Sequence, residues 1–227
     1  MISILTWSYD RQGMYDITLP LWLKQEGVEF EIIAGHGPKV TVPIDDKIVP
    51  VLTTEFKMCK AYNALLAKSK GDMLLITQAD MQVNDPKQLA RMLSVWTPGT
   101  MVTERFFKNG KRDVGIHLQF MLVEKKEIVK AGGWCELFDF SGLVCCEDAD
   151  LCSSMLENGC NYLPIETPED IGVYHIHHER PDYQSPEMIA KAATALKFYR
   201  GRHKDYHSVL YAKQFAMMMM AKRFNGL

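Results

Sequence analysis

The stretch KAYNALLAKSKGDMLLITQAD, Lys60 to Asp80, decides how this chain folds. Its second part, Met73 to Thr77 (MLLIT), is a short unbroken apolar run. That is the pattern of a strand covered on both faces, because a half-exposed strand alternates apolar with polar residues. Its first part places Ala61, Leu65 and Leu66 at helical spacing inside a helix expected over Phe56 to Lys68 and stopped by Gly71. Ligands of open α/β sheets collect at the carboxyl ends of strands, so whatever binds is expected beside Gln78, Ala79 and Asp80.

Toward the N-terminus, Ile2 to Trp7, Glu29 to Ala34 (EFEIIA) and Lys47 to Leu52 read as three further strands. A helix is expected between Tyr15 and Glu26, with Pro20 in its first turns or kinking it. In the other direction, Asp85 is the expected cap and Pro86 the opening residue of the next helix. Met101 to Phe107 and His117 to Val123 read as strands around an Asn109-Gly110 turn, where the sheet is expected to become mixed. Lys125 to Ala131 and Asp148 to Asn158 read as helices ended by Gly132-Gly133 and Gly159, and Val173 to His177 as a last strand. From Pro186 the composition suits helices carrying Leu196, Phe198, Tyr199, Leu210, Tyr211 and the run Met217 to Met220. The fold class is therefore α/β, a mixed but mainly parallel sheet flanked by helices. One domain is expected over 1–182, with a helical extension over 183–227 packed on it.

With 227 residues, 47% of them hydrophobic, the chain suffices for one core and is short for two. Acidic and basic residues nearly cancel, 28 against 26, which leaves no surplus positive field for a nucleic acid partner. The N-terminus has no basic segment followed by a cleavable apolar stretch, and no run approaches the ~20 apolar residues of a transmembrane segment. The six cysteines form no CxxC pair. They read as idle thiols, and the expected location is a reducing cytoplasm.

Three clusters carry chemistry: Asp80 at a strand end, the acidic run Glu147, Asp148 and Asp150, and the imidazoles of His175, His177 and His178. Each has a bland reading, as a helix cap, as acidic residues facing the positive end of a helix dipole, and as surface histidines. Together they say more. One carboxylate with the two imidazoles of His175-x-x-His178 suits a divalent cation with open positions, and such oxygen and nitrogen ligation without thiolates favours Mn²⁺ or Mg²⁺ over structural zinc. A cation there would neutralise charge on a departing diphosphate, while the acidic run supplies a general base for an attacking hydroxyl. Crowding of that run is expected to raise at least one of its carboxyl pKa values.

Several segments, in order, resemble the family-two glycosyltransferases of the GT-A fold: TWSYDR (Thr6 to Arg11), FEIIAGHG (Phe30 to Gly37), the Lys60 to Asp80 stretch, AGGWCELF (Ala131 to Phe138), CCEDADLCSSMLENG (Cys145 to Gly159) and VYHIHHERP (Val173 to Pro181). The last portion is similar to the galactosyltransferase type. The resemblance implies a metal-dependent enzyme that transfers a sugar from a nucleotide diphosphate, with uridine the expected nucleoside, to a carbohydrate or other hydroxyl with inversion. It makes Asp80 the last position of a DxD metal motif, His175 and His178 its partners, and Asp148 the base with Glu147 beside it. Thr6, Ser8, Arg11, His36, Asn63 and Gln78 would line the donor, and Trp134, Gly133 and Asp150 the acceptor. For Trp134 a core aromatic is the equal alternative to a sugar platform.

Two residues depart from the family pattern. Gln78 stands at the first Asp of DxD, and His36 near where an acidic contact to the base is usual; Gln78 can bond a ribose hydroxyl but is a feeble cation ligand. They favour the rival reading of a catalytically degenerate sugar- or nucleotide-binding module. A non-haem iron oxygenase would also use two histidines and a carboxylate, but its His-x-Asp pair is missing from Gln78-Ala79-Asp80. For the basic, partly apolar C-terminal helices, packing on the core is the default, with homodimerisation or an anionic membrane surface as the alternatives.

Overall fold

A computed structural model describes residues 1–105, 107–108, 111–112, 120–139, 146–176 and 185–203. The expected His177 and His178, the Asn109-Gly110 turn, the 182/183 boundary and the helices beyond 203 lie outside the described residues.

The centre is a seven-stranded sheet. It is built from β1 (Ile2–Ser8), β2 (Phe30–His36), β3 (Ile48–Leu52), β4 (Met73–Thr77), β6 (Thr100–Glu104), β9 (Phe120–Glu124) and β10 (Asn161–Ile165), in the order β10-β6-β9-β4-β1-β2-β3. The pairings of β1 with β2 and β4, of β2 with β3 and of β6 with β10 are parallel, while β9 runs antiparallel between β4 and β6. A smaller sheet holds β5 (Met81–Val83), β7 (Phe107–Lys108), β8 (Lys111–Arg112) and β11 (Val173–His175) in the order β5-β11-β7-β8.

Alternation along the buried strands sorts side chains to two cores. Leu5, Ile33, Leu74 and Ile76 face one side, where α2 (Met58–Lys68), α4 (Lys125–Lys130), α5 (Glu147–Glu157) and α6 (Pro186–Arg202) add Tyr62, Leu65, Ile128, Leu151, Met155, Leu196 and Tyr199. Ile4, Ile32, Leu75 and Leu122 face the other, where α1 (Gln12–Trp22) and α3 (Gln88–Val95) add Tyr15, Leu19, Trp22, Leu89 and Met92. Burial on both faces is why MLLIT carries no polar alternation.

The structure corrects the sequence expectations in several places. Helix α1 begins at Gln12, so Pro20 falls near its end rather than in its first turns. There it leaves the Asp16 carbonyl without an N–H from residue 20, and the helix ends two residues later. Helix α2 starts at Met58 because a distant carboxylate caps it: Asp139 accepts the N–H groups of Cys59 at 2.9 Å and Lys60 at 2.8 Å. The expected strand Met101 to Phe107 is divided at Arg105 between β6 in the large sheet and β7 in the small one. Strands β5 and β10 were not anticipated, the first being very short and the second an edge strand that tolerates Pro164. The described cysteines are all free. Among the described residues no helix is long and apolar enough to cross a membrane.

Candidate functional site

After Thr77 the chain leaves β4, passes through Gln78, Ala79 and Asp80, and turns into β5. Strand β11 pairs antiparallel with β5, His175 opposite Met81, and the Ile176 N–H donates to the Asp80 carbonyl at 2.7 Å. This pairing sets His175 Nε2 3.3 Å from Asp80 Oδ2. Both residues are largely buried, at 8% and 9% exposure. A carboxylate oxygen and an imidazole nitrogen at that separation match two donors of a mixed oxygen and nitrogen cation site. Among the described residues, no group of three or more His, Cys, Asp or Glu converges to complete one. His178, the third expected ligand, lies outside them.

Tyr62 of α2 ties this corner to the acidic run. Its hydroxyl donates to the Thr77 carbonyl at 2.8 Å, and its ring stacks on Trp134 with centroids 5.1 Å apart. Burial pushes the phenol pKa well up; Asp148 is the largest neighbouring contributor, and Asp80 and Glu147 also act on it. Carboxylates after β4 and at the start of α5 thus both act electrostatically on one phenol.

Helix α5 enters through Cys146 at φ 69°, the one non-glycine residue with positive φ among the described residues. Such a backbone is held by its surroundings, and here it sets the direction of the first helical turn. The acidic run divides by helix geometry: Asp148 and Asp150 are two residues apart, about 200° around the axis, and point to nearly opposite sides. Asp148 is half-buried. Asp150 is 1% exposed and bound elsewhere. Its Oδ1 accepts from Arg202 Nε at 2.6 Å and faces His203 Nε2 at 2.9 Å, while His203 Nδ1 lies 2.8 Å from Glu157. The expected acceptor contact at Asp150 therefore falls on a carboxylate already engaged in clasping α6 to α5.

Glu147 is buried, and its Oε2 has no hydrogen-bond partner among the described residues. Burial raises its pKa well above the ordinary 4.5, and the charge of Asp148 raises it further. Above pH 4.5 the unfolded chain loses this proton while the native state keeps it, so unfolding releases a proton and rising pH destabilises the fold until the native group also ionises. A Glu147→Gln variant lacks that term. Its Tm relative to the parent is expected to climb as the pH rises above about 4.5. A pH-independent Tm difference in calorimetry would show that Glu147 is not held protonated.

Among the residues expected to line the donor, strand register sets Ser8 opposite His36. Ser8 Oγ donates to the Arg11 carbonyl at 3.0 Å, and Thr6 is 1% exposed with its Oγ1 unpartnered among the described residues. His36 Nδ1 lies 3.1 Å from the carbonyl of Gly37. A Cβ on Gly37 would stand 1.9 Å from the Tyr9 carbonyl oxygen, so glycine alone lets these two strand ends meet. Beside them lies a trio that the sequence reading missed: Trp7 and Phe56 have ring centroids 5.4 Å apart, Tyr9 and Phe56 also 5.4 Å. The aromatic content of TWSY was its only signal.

Asn63 holds the Gly133–Trp134 loop from both sides, accepting the Trp134 N–H and donating to the Trp134 carbonyl, each at 2.9 Å. Gly133 has φ 73°, and a Cβ there would come within 2.8 Å of Asn63 Oδ1. Trp134 itself is 2% exposed, the placement of a core aromatic.

Solved structures superpose on this fold over most of the chain. S. aureus TarS 1-349 in complex with UDP-GlcNAc superposes with a TM-score of 0.66 at 12% identity, covering 93% of this chain and 69% of that one. The chain has the GT-A fold. A mannosyltransferase from Pyrobaculum calidifontis, solved with GDP-Man and Mn²⁺, gives a TM-score of 0.59 at 14% identity over 98% of this chain and 80% of that one. Against a longer form of TarS the TM-score is 0.58 at 11% identity, and the chain spans 44% of its length. No protein-family model matches the sequence, and no curated protein does.

Proposed function

We propose that the chain is a glycosyltransferase that moves a sugar from a nucleotide diphosphate to a hydroxyl in a single inverting displacement. The observation that carries this reading is the Asp80–His175 contact, 3.3 Å apart at the end of β4, with Asp148 acting on the same tyrosine as Asp80. A divalent cation held by Asp80 and His175, with Gln78 beside them, would supply Lewis-acid charge neutralisation at the leaving diphosphate. Asp148 accepts the proton of the acceptor hydroxyl as its oxygen bonds to the anomeric carbon. The bond from that carbon to the diphosphate oxygen breaks, and its electron pair leaves with the diphosphate. The backbone turns at Ser8 and Gly37, with the Trp7, Tyr9 and Phe56 rings, offer the nucleoside a polar edge and an aromatic face. The TarS complex with UDP-GlcNAc and the mannosyltransferase complex with GDP-Man and Mn²⁺ support the donor class and the cation.

Gln78 favours one competing reading, a module of the same fold that binds a sugar nucleotide without turning it over. A thermal-shift screen of UDP- and GDP-sugars with and without Mn²⁺ tests the binding step. One nucleotide class is expected to raise Tm, and more so with Mn²⁺, because a ligand bound only by the native state stabilises it. Absence of any shift across the panel would remove the donor assignment. Binding without hydrolysis or transfer would favour the module.

A further inference from the structure

Strand β4 pairs with β1 only as far as Ile76, opposite Leu5, whereas its pairing with β9 continues through Thr77 opposite Phe120. On the β1 side the strand thus ends one residue before the turn that carries Gln78 and Asp80. The Tyr62 hydroxyl takes over at that point, donating 2.8 Å to the Thr77 carbonyl. The same ring lies flat on Trp134, 26° between planes, and the next residue of α2, Asn63, binds both backbone groups of Trp134. One turn of α2 therefore grips the end of the strand bearing Asp80 and the loop that leads on to the 3₁₀ turn Glu136–Phe138 and Asp139.

We infer that Tyr62 is a positioning residue that holds the Gln78–Asp80 turn and the Gly133–Trp134 loop in register, its hydroxyl governing the first and its ring the second. A tyrosine merely filling the core would have no use for the hydroxyl at this place, since the ring is 3% exposed and already stacked. A buried phenol must find an acceptor, and the acceptor it finds is the carbonyl immediately ahead of the donor-side turn. The inference rests on the functional reading above for its kinetic consequence but not for its structural one.

The division of labour sets the test. Tyr62→Phe keeps the stack and loses the bond; Tyr62→Leu loses both. Backbone hydrogen exchange on the full chain is expected to rise at residues 78–80 in Tyr62→Phe, and at both 78–80 and 133–134 in Tyr62→Leu. In transfer assays the donor KM of Tyr62→Phe is expected to rise about tenfold with acceptor KM unchanged, the scale of one lost hydrogen bond. Tyr62→Leu should raise both. A residue that only supports the fold would lower kcat through the active fraction and leave both KM values alone, and that result, or unchanged exchange at 78–80, overturns the inference. If the parent protein binds no sugar nucleotide, the functional reading falls by itself, and the exchange pattern still decides the role of Tyr62.

Discussion

Replacing Asp148 with Asn is expected to lower kcat by a factor of about 10² to 10⁴, the usual contribution of a general base, while sugar-nucleotide affinity stays as in the parent. The substitution is nearly isosteric and the side chain is half-buried at the start of α5, so the fold has little reason to respond. What disappears is the proposed acceptor for the hydroxyl proton. Transfer measured at saturating donor and acceptor, alongside calorimetric titration of the donor, separates the two effects. A variant that transfers at the parental rate would take the base away from Asp148, and Glu147 would not replace it, because burial keeps that group protonated well above its ordinary range.

Substitution of Asp80 by Ala acts on the other half of the reaction. It removes the carboxylate 3.3 Å from His175 and with it one of the two proposed cation ligands. Changes in the hydrogen-bonded surroundings of a metal ligand already cost about ten- to a hundredfold in affinity, so loss of a ligand is expected to cost at least about a hundredfold in Mn²⁺ affinity. Donor binding should then lose its dependence on Mn²⁺. Paramagnetic titration of Mn²⁺ with parent, Asp80→Ala and Asp80→Asn proteins gives the comparison, and the Asn variant, which keeps the side-chain shape, controls for damage to the β5–β11 pairing. Equal Mn²⁺ affinity in all three would dissolve the proposed cation site.

The parts of the fold that could be read from sequence were those in which each residue reports its own surroundings. MLLIT announces a strand with apolar neighbours on both faces, and Leu5 and Ile33 against Ile4 and Ile32 follow the two-residue period that separates the cores. Asp80 and His175 were expected near one another from residue type and they do lie 3.3 Å apart, although their meeting depends on β5, a three-residue strand too short to show a period. What could not be read was set by contacts distant in the chain. The cap of α2 comes from Asp139, and the fate of Asp150 was fixed by Arg202 and His203. Asp148 and Asp150 look equivalent as letters in EDAD, and only the rotation of a helix sends them to opposite sides. The Trp7, Tyr9 and Phe56 trio escaped for a similar reason: two of its rings belong to one strand end, and the third arrives from the segment before α2.

The clasp at Asp150 also bears on where this polypeptide can be cut. A carboxylate 1% exposed depends on the guanidinium and imidazole facing it, since a charge sealed from water without a counter-charge is among the costliest groups a protein can carry. A fragment that stops ahead of Arg202 would leave that carboxylate without its guanidinium and imidazole partners, and one that stops ahead of Leu196 would strip Leu196 and Tyr199 from the core as well. The shortest autonomous piece of this molecule therefore reaches at least to His203, and residues 185–203 are a working beam of the fold rather than a detachable tail.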